Sequence, residues 1–494
     1  MDALSNLNDV LLSPLGLAPL ACAVVALLLA RERTWALLGS LRCSNRLYVI
    51  ALALSALALT VAFAFLQPKV IPWGGDDRYF SRALNIVEYG VFGIGAEESA
   101  LFPPGYSFLL VPLAALLEGS RWAFFLTNII LLLGTSVVFR QMLMLLGASE
   151  GTGNTFSLVF HLYPNRLLST LLPFSDVPFT LLFVLAFAAM FLSQKRGRSL
   201  VLPLLTGLLA GAAALVRSVG LLLLVPLVLG FLVPRKFPPA ERVKQTLVML
   251  LAAGALLLPW TLRNYAVFHR LIPISNNGGL NLALGNNPAH PIVGDDYSDS
   301  RLGESIDWRE VGGTQWDESQ RDSFFAVLGL RYIRENPVTF ARLVVERIAR
   351  AMAADSYTFG QLETYTNART LVYAMLGEKR YDAALRQPLG ALFTVAYHLL
   401  FVLNNTVYYV LLFLVVLHYF RPEKQARFIR TPYLAVVVIV WFTIALTFGL
   451  SRFKEPVSAL LPLIVCMRVL EGRKNLPSRQ PPENNQAASH RDTA

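Results

Sequence analysis

The sequence predicts an all-α polytopic membrane protein of about 11 transmembrane helices, with two long extracytoplasmic loops that carry interfacial helices. Three observations predict it. The 494 residues are 55% hydrophobic and only 15% charged, with a mean hydropathy of +0.52, more apolar side chain than one soluble core hides. Runs such as 47–66 and 431–450 match the roughly 20 apolar residues a helix needs to cross the hydrocarbon, where open backbone groups find no partner. The basic residues sit in short loops between such runs, the positive-inside pattern. The net charge of +11 is therefore spread over loops and does not form a nucleic-acid face.

Apolar runs place spans near 11–30, 47–66, 121–146, 155–173, 177–193, 199–216, 218–233, 246–262, 390–420, 431–450 and 456–470. Arg31, Arg33, Arg42 and Arg46 follow the first span, and Lys195, Arg196 and Arg198 the fifth. Arg235, Lys236, Arg242 and Lys244 follow the seventh, Arg421, Lys424, Arg427 and Arg430 the ninth, and Arg468, Arg473 and Lys474 the last. Every cluster falls on one side, which the charge rule makes the cytoplasm. The N-terminus and segments 67–120 and 263–389 then lie outside.

The chain divides accordingly. Residues 1–46 give an extra N-terminal helix and a basic loop, and 47–262 the main transmembrane module with its first outer loop, 67–120. Residues 263–389 form the large outer loop, 390–470 the C-terminal helices, and 471–494 a disordered tail that is polar and Pro-rich from Pro477. The opening MDALSNLNDV lacks a basic n-region, so the first span is expected to stay in the mature protein. Cys22 and Cys466 fall in apolar runs and Cys43 in a basic loop, which indicates neither a disulfide framework nor a paired-cysteine metal site. No repeat, direct or inverted, stands out.

Segment 101–117 is apolar but short and interrupted by Pro112, and it is read as lying in the outer interface because a crossing there breaks the charge alternation. In 338–355, Phe340, Val344, Val345, Ile348 and Met352 oppose Arg342, Glu346, Arg347 and Arg350. That pattern fits a helix on a membrane surface or one packed on the loop's own core, and both readings stand.

The most informative stretch leaves the second span as IPWGGDDRYFSRALNIVEYGVFG. Pro72, Gly74 and Gly75 end one helix, and Asp76 and Asp77 stand where the next begins. Their charges suit a helix N-terminus. They also suit a general base at the membrane surface, where an apolar setting raises a carboxyl toward the working pH.

Further on come FPPGYSF, SDVPFTLLF (175–183), PWTLRNYAVF (259–268), NNGGLNLALGNNP (276–288) and SRFKEPVSALLP (451–462). With DDRYFSRALNI at the head, this order over about residues 47–470 resembles the polytopic C-type glycosyltransferases, in the bacterial branch related to protein O-mannosyltransferases and the aminoarabinose transferase of lipid A. The resemblance implies an inverting transferase that takes a sugar from a polyprenyl-phosphate donor on the outer face of a bacterial inner membrane. The acceptor it implies is lipid A or its core, another envelope glycan or a protein. It makes 47–262 the transferase module, Asp76 the base for the acceptor hydroxyl, and Asp77 the group that orients the acceptor or holds a cation. Where many relatives carry Lys or His before the Pro-Pro pair, this chain has Phe102, so no donor-phosphate contact comes from there.

The chemistry is consistent. A hydroxyl attacking a sugar C1 must lose a proton, and a lipid phosphate leaves as an anion without a general acid, unlike the leaving group in glycoside hydrolysis. Cations near the phosphate complete the need. Arg217, Arg263, Arg452 and Lys454 lie at outer ends of spans, against the charge rule, and Arg166 lies inside an apolar run beside Tyr163 and Pro164. Snorkelling, capping or, for Arg166, an ion pair with Asp176 are the plainer readings. Asp295, Asp296 and Asp299 offer a weak divalent-cation set or simply a solvated loop. The six histidines form no zinc signature. Two other functions use the same architecture: a transporter or flippase of lipid-linked sugar, and a non-catalytic scaffold for envelope assembly.

Overall fold

A computed structural model of the chain describes residues 38, 40–66, 78–197, 199–233, 237–289, 291–293, 302–306, 316–352, 388–419, 427–447 and 455–474. The first expected span, 11–30, and the tail from Pro477 lie outside the described residues. The described chain is helical apart from one short hairpin, as the hydropathy pattern requires.

Helix α1 (Asn45–Leu66) is followed by α2 (Arg78–Tyr89), the hairpin β1 (Gly93–Ile94) and β2 (Glu97–Glu98), and α3 (Gly105–Leu116). Then come α4 (Trp122–Leu145), α5 (Glu150–His161), α6 (Pro164–Ser169), α7 (Asp176–Arg196) and α8 (Val201–Val216). Next are α9 (Leu224–Leu232), α10 (Pro239–Phe268), α11 (Gly278–Gly285), α12 (Glu318–Glu335) and α13 (Pro337–Met352). The last are α14 (Pro388–Tyr419), α15 (Arg427–Leu446) and α16 (Glu455–Lys474). Among the described residues five stretches are long and apolar enough to cross a membrane: Asn45–Ala64, Trp122–Leu145, Asp176–Arg196, Pro239–Phe268 and Leu399–Val416. Shorter apolar helices fill in between them.

Burial sorts these helices. Only 17% of the most apolar window of α1 is covered by protein, against 72% for α7, so α1 offers its side chains to lipid while α7 is a central post. Helix α7 packs on α4 and α8, and α8 on α10. The last contact is close because Gly207 faces the Met249 carbonyl, with no room for a Cβ between them.

Segments 42–46, 145–150, 195–197 and 232–245 meet at one end of the bundle. Arg42 Nη1 donates to Ser149 Oγ at 2.6 Å and Arg140 Nη2 to Asn45 Oδ1 at 3.1 Å. Lys195 Nζ donates to the Leu145 carbonyl at 2.7 Å, Gln245 Nε2 to that of Gly197 at 3.4 Å, and Arg242 Nη1 to that of Leu232. Of the five basic clusters expected to share a side, the described parts of three, at 42–46, 195–196 and 242–244, share an end.

Three expectations change in detail. Run 155–173 is not one helix: α5 ends at His161 and α6 starts at Pro164, whose missing N–H suits a first helical turn and ends the helix before it. Run 218–233 opens with a single 3-10 turn, Ser218–Leu221, before α9. Helix α10 continues through Arg263 to Phe268, so Arg263 stands on the helix and not at the start of a loop.

The spans also hold more buried polar groups than their apolar runs suggest. His161 bridges Ser55 Oγ and Ser136 Oγ at 2.7 Å each, and Asn404 Oδ1 accepts the Asn165 N–H at 2.8 Å. Within lipid each such group must find its partner inside the protein.

Helix α3 is 12 residues long, shorter than the five long apolar helices. Helix α13 docks on α15 and also touches α12, while residues 353–355 lie outside the described residues. Arg347, fully buried, donates to the Ala445 carbonyl at 2.8 Å, to Asn286 Oδ1 at 3.3 Å and to the Gly285 carbonyl. The carbonyls that end α11 and α15 have no helical partner, and the guanidinium supplies one.

Candidate active site

Helix α2 forms because the Pro-Gly-Gly break is followed by a strongly amphipathic segment whose Tyr79, Phe80, Arg82 and Ala83 turn inward. Ser107 Oγ of α3 donates to the Tyr79 carbonyl at 2.9 Å, and the Tyr79 and Tyr106 rings lie 5.6 Å apart. Asn85 fastens the hairpin to α2: its Nδ2 donates to the Val91 and Gly95 carbonyls at 2.8 and 2.9 Å, and its Oδ1 accepts the Gly95 N–H at 2.6 Å. Gly95 has φ of +59° at the hairpin turn, where a glycine is favoured.

Helix α3 connects α2 to the end of α8. A Cβ on Gly105 would lie 2.9 Å from the Leu215 carbonyl oxygen, so glycine allows that approach. Two residues further, Arg217 caps α8 and ion-pairs with Asp176, the first residue of α7. The Phe179 ring lies 5.8 Å from the same guanidinium. Tyr106 Oη donates to Asn128 Oδ1 at 2.8 Å, and Asn128 Nδ2 to the Leu172 carbonyl at 2.9 Å. Polar contacts thus link α2, α3, α4 and the Leu172 carbonyl, and the Arg217–Asp176 pair ties the end of α8 to the start of α7.

Arg263 belongs to the same end. It donates from Nη1 to the Ser99 carbonyl at 2.8 Å and from Nη2 to the Phe92 carbonyl at 3.2 Å, lies 3.6 Å from Glu98, and covers the Trp260 ring at 4.8 Å. Ser218 Oγ meets Ser275 Oγ at 2.6 Å, and the next residue, Asn276, donates its N–H to the Ala100 carbonyl at 2.9 Å. Arg217 and Arg263 are therefore joined by a path that alternates peptide links with hydrogen bonds, through Ser218, Ser275, Asn276, Ala100 and Ser99.

Arg166 stands apart from these two, in α6. It donates from Nη1 to the Phe160 carbonyl and lies 3.9 Å from the Phe160 ring centre. Depth follows from α4, which starts at Trp122 at the loop end and rises about 1.5 Å per residue. Asn128, bonded to Leu172, is then roughly 9 Å along it, and Ser136, bonded to His161, roughly 21 Å. Arg166 lies between those two chain positions. The carboxylates Asp76 and Asp77, the cations Arg452 and Lys454, and the set Asp295, Asp296 and Asp299 lie outside the described residues. Among the described residues no group of three or more His, Cys, Asp or Glu side chains gathers to hold a metal ion.

No family model and no curated protein matches the chain. Solved structures do. The chain is similar to AglB and ArnT. For the archaeal oligosaccharyltransferase AglB from Archaeoglobus fulgidus, in complex with an inhibitory peptide and a dolichol-phosphate, identity is 14% and the TM-score 0.45, over 85% of this chain and 50% of AglB. The chain spans about half the length of AglB. For ArnT from Cupriavidus metallidurans bound to undecaprenyl phosphate, identity is 15% and the TM-score 0.40, over 89% of this chain and 82% of ArnT. For ArnT in the apo state the values are 12% and 0.32, over 84% and 77%.

Several residues at this end gave no sign in the sequence of their part in it. Arg82 is 3% exposed, its Nε finds no partner among the described residues, and its guanidinium lies 4.7 Å from the Phe102 ring, with that of Arg78 at 5.0 Å. The position before the Pro-Pro pair, apolar in itself, is thus flanked by two arginines from α2. Burial pushes the Arg82 guanidinium below its ordinary range, and the charge of Glu318 works the other way. Arg78 and Arg82 share a helix face at i, i+4, a spacing the sequence displays. Glu318 and Asn276 are long-range partners that no local pattern announces.

Proposed function

We propose that the chain is an inverting glycosyltransferase that moves a sugar from polyprenyl phosphate to an extracytoplasmic acceptor. One observation carries this reading. Helix α2, the element directly after Asp76–Asp77 in the chain, is bound through Tyr79, Ser107 and Gly105 to the end of α8 that bears Arg217. The helix that follows the carboxylate pair in the chain and a candidate phosphate-binding cation are thereby joined across a single short helix, α3.

In the reaction, the acceptor oxygen attacks C1 of the sugar while the bond from C1 to the phosphate oxygen breaks. The hydroxyl proton passes to the Asp76 carboxylate, and the electron pair leaves with the lipid phosphate. One displacement at C1 inverts it. Arg217 and Arg263 are the cations that stabilise the leaving phosphate, helped by the partly dry setting at the ends of α8 and α10. Arg166, Arg452 and Lys454 are held as further candidates. The acceptor is a lipid, a glycan or a protein, the membrane is the bacterial inner membrane, and the loop end faces out because the basic end faces the cytoplasm.

The test uses purified protein in lipid vesicles with undecaprenyl phosphate carrying mannose, aminoarabinose, arabinose or galacturonic acid. Loss of sugar from the lipid is measured with water or an added glycolipid as acceptor. Asp76→Asn should lower the rate roughly 10²- to 10⁴-fold, because an amide still caps a helix but takes no proton. An Asp76→Asn protein at the wild-type rate removes the base. Comparing envelope glycolipid masses with and without the protein identifies the sugar.

A further inference from the structure

The backbone at Ser99–Ala100 is gripped almost wholly from the second outer segment. Ser99 Oγ donates to Glu318 Oε1 at 2.7 Å and the Ala100 N–H to Glu318 Oε2 at 2.9 Å, so both oxygens of one carboxylate are engaged. Arg263 takes the Ser99 carbonyl at 2.8 Å and the Asn276 N–H takes that of Ala100 at 2.9 Å. Ser99 is 2% exposed and Ala100 is fully covered. Within the first segment the Ser99 N–H donates to the Phe92 carbonyl at 3.0 Å, and Ser99 Oγ accepts the Leu101 N–H at 3.2 Å.

What is gripped moves with α2. Asn85 binds the hairpin just before Ser99 to α2, and the Arg82 guanidinium reaches back from α2 to the Phe102 ring just after Ala100. Glu318 in turn is held firmly. It is the first residue of α12, whose N-terminus carries a capping box between Asp317 and Gln320. The start of α11 is tied to α12 by the Leu280 N–H, which donates to Asp322 Oδ1 at 2.9 Å.

We propose that Glu318 is a positioning residue of the transfer site: by latching Ser99 and Ala100 to the second outer segment, its carboxylate fixes the helix that follows Asp76–Asp77. This rests on the transferase reading given above. Glu318 touches no substrate in this account. It sets the place of α2, the helix that follows the proposed base in the chain, and a small misplacement of a reacting group costs rate more than affinity. Arg263 and Asn276 hold the two carbonyls of Ser99–Ala100, and Glu318 alone engages the Ser99 hydroxyl and the Ala100 N–H from α12.

Two variants and two readouts test it, on full-length protein in vesicles. Glu318→Gln keeps an acceptor for the Ala100 N–H and a donor that the Ser99 hydroxyl can accept. Glu318→Ala keeps neither. Hydrogen exchange is read at residues 78–101, with α4 as the internal control. Sugar loss from the same four undecaprenyl-phosphate donors is read as kcat and KM. Glu318→Ala should speed exchange in 78–101, leave α4 unchanged, and lower kcat roughly 10- to 100-fold with little change in KM. Glu318→Gln should stay near wild type in both readouts.

Unchanged exchange in Glu318→Ala overturns the latch whatever the activity. Faster exchange with wild-type kcat overturns its role in positioning, and so does a fall in kcat that Glu318→Gln shares in full. Asp76→Asn runs alongside. If it transfers normally, or if wild-type protein uses none of the donors, the transferase reading fails, and with it the claim that the latch positions a base, while exchange still reports whether the latch exists.

Discussion

Arg217 and Asp176 form a buried ion pair that ties the end of α8 to the start of α7, their side chains 12% and 7% exposed. Both charges are desolvated, so each is tolerable only with the other present. Arg217→Ala or Asp176→Ala should each cost roughly 3–5 kcal/mol by stranding a charge, while Arg217→Met with Asp176→Leu should recover most of it. Thermal unfolding in detergent measures this. The double variant also separates two roles of Arg217. If it folds but no longer releases sugar from undecaprenyl phosphate, the arginine serves the phosphate as well as the fold. If transfer survives, the arginine is structural only.

A second prediction concerns Tyr106, whose hydroxyl donates to Asn128 Oδ1 at 2.8 Å inside the bundle. Tyr106→Phe keeps the ring contact with Tyr79 but leaves a buried amide oxygen without its donor. The expected loss is roughly 1–3 kcal/mol of stability. Asn128→Leu in the same background removes the stranded group and should restore part of it. If Tyr106→Phe melts with wild-type protein, the network at the start of α4 is not holding α3.

How much of this was readable beforehand differs by the kind of signal. The helical membrane fold was legible because twenty consecutive apolar residues and the placement of Lys195, Arg196, Arg242 and Lys244 are local facts. The break in 155–173 was written as Pro164 and Arg166, yet an apolar run hides it from a hydropathy window. Arg217 and Arg263 stood out by being on the wrong side for basic residues. Their partners, Asp176 and the Ser99 carbonyl, lie 41 and 164 residues away and required the fold. Glu318 joins Ser99 across 219 residues, and sequence spacing carries no trace of such a contact.

Close packing gives a third prediction. A Cβ at Gly207 would stand 2.0 Å from the Met249 carbonyl oxygen and 2.8 Å from the Ala252 side chain, so α8 must shift away from α10 to accept it. Gly254, on the same helix α10, meets nothing within 4 Å. Gly207→Ala should therefore lower the melting temperature, while Gly254→Ala should leave it unchanged or raise it through helix propensity. Equal behaviour of the two variants argues against the α8–α10 contact as drawn.

The last prediction is an acid transition at α12. Asp317 is its N-cap, and although burial acts to raise its carboxyl, hydrogen bonds from Ser319 Oγ and from the Gln320 and Ser319 N–H groups, with the Arg270 charge, hold it below the ordinary value. A carboxyl depressed in the fold gives stability that is present above its unfolded pKa and is lost as pH falls through the folded one. The window thus lies below about pH 4, the ordinary carboxyl range. Protection of the Gln320 amide, corrected for intrinsic exchange, should fall there, and the Ala100 amide should follow because Glu318 sits one residue from the cap. Asp317→Asn caps without ionising, so it should hold both amides protected at neutral pH and remove this acid step. Other carboxylates titrate in the same range, but they do so equally in both proteins. An acid step of the same size in Asp317→Asn assigns it to them and not to the cap.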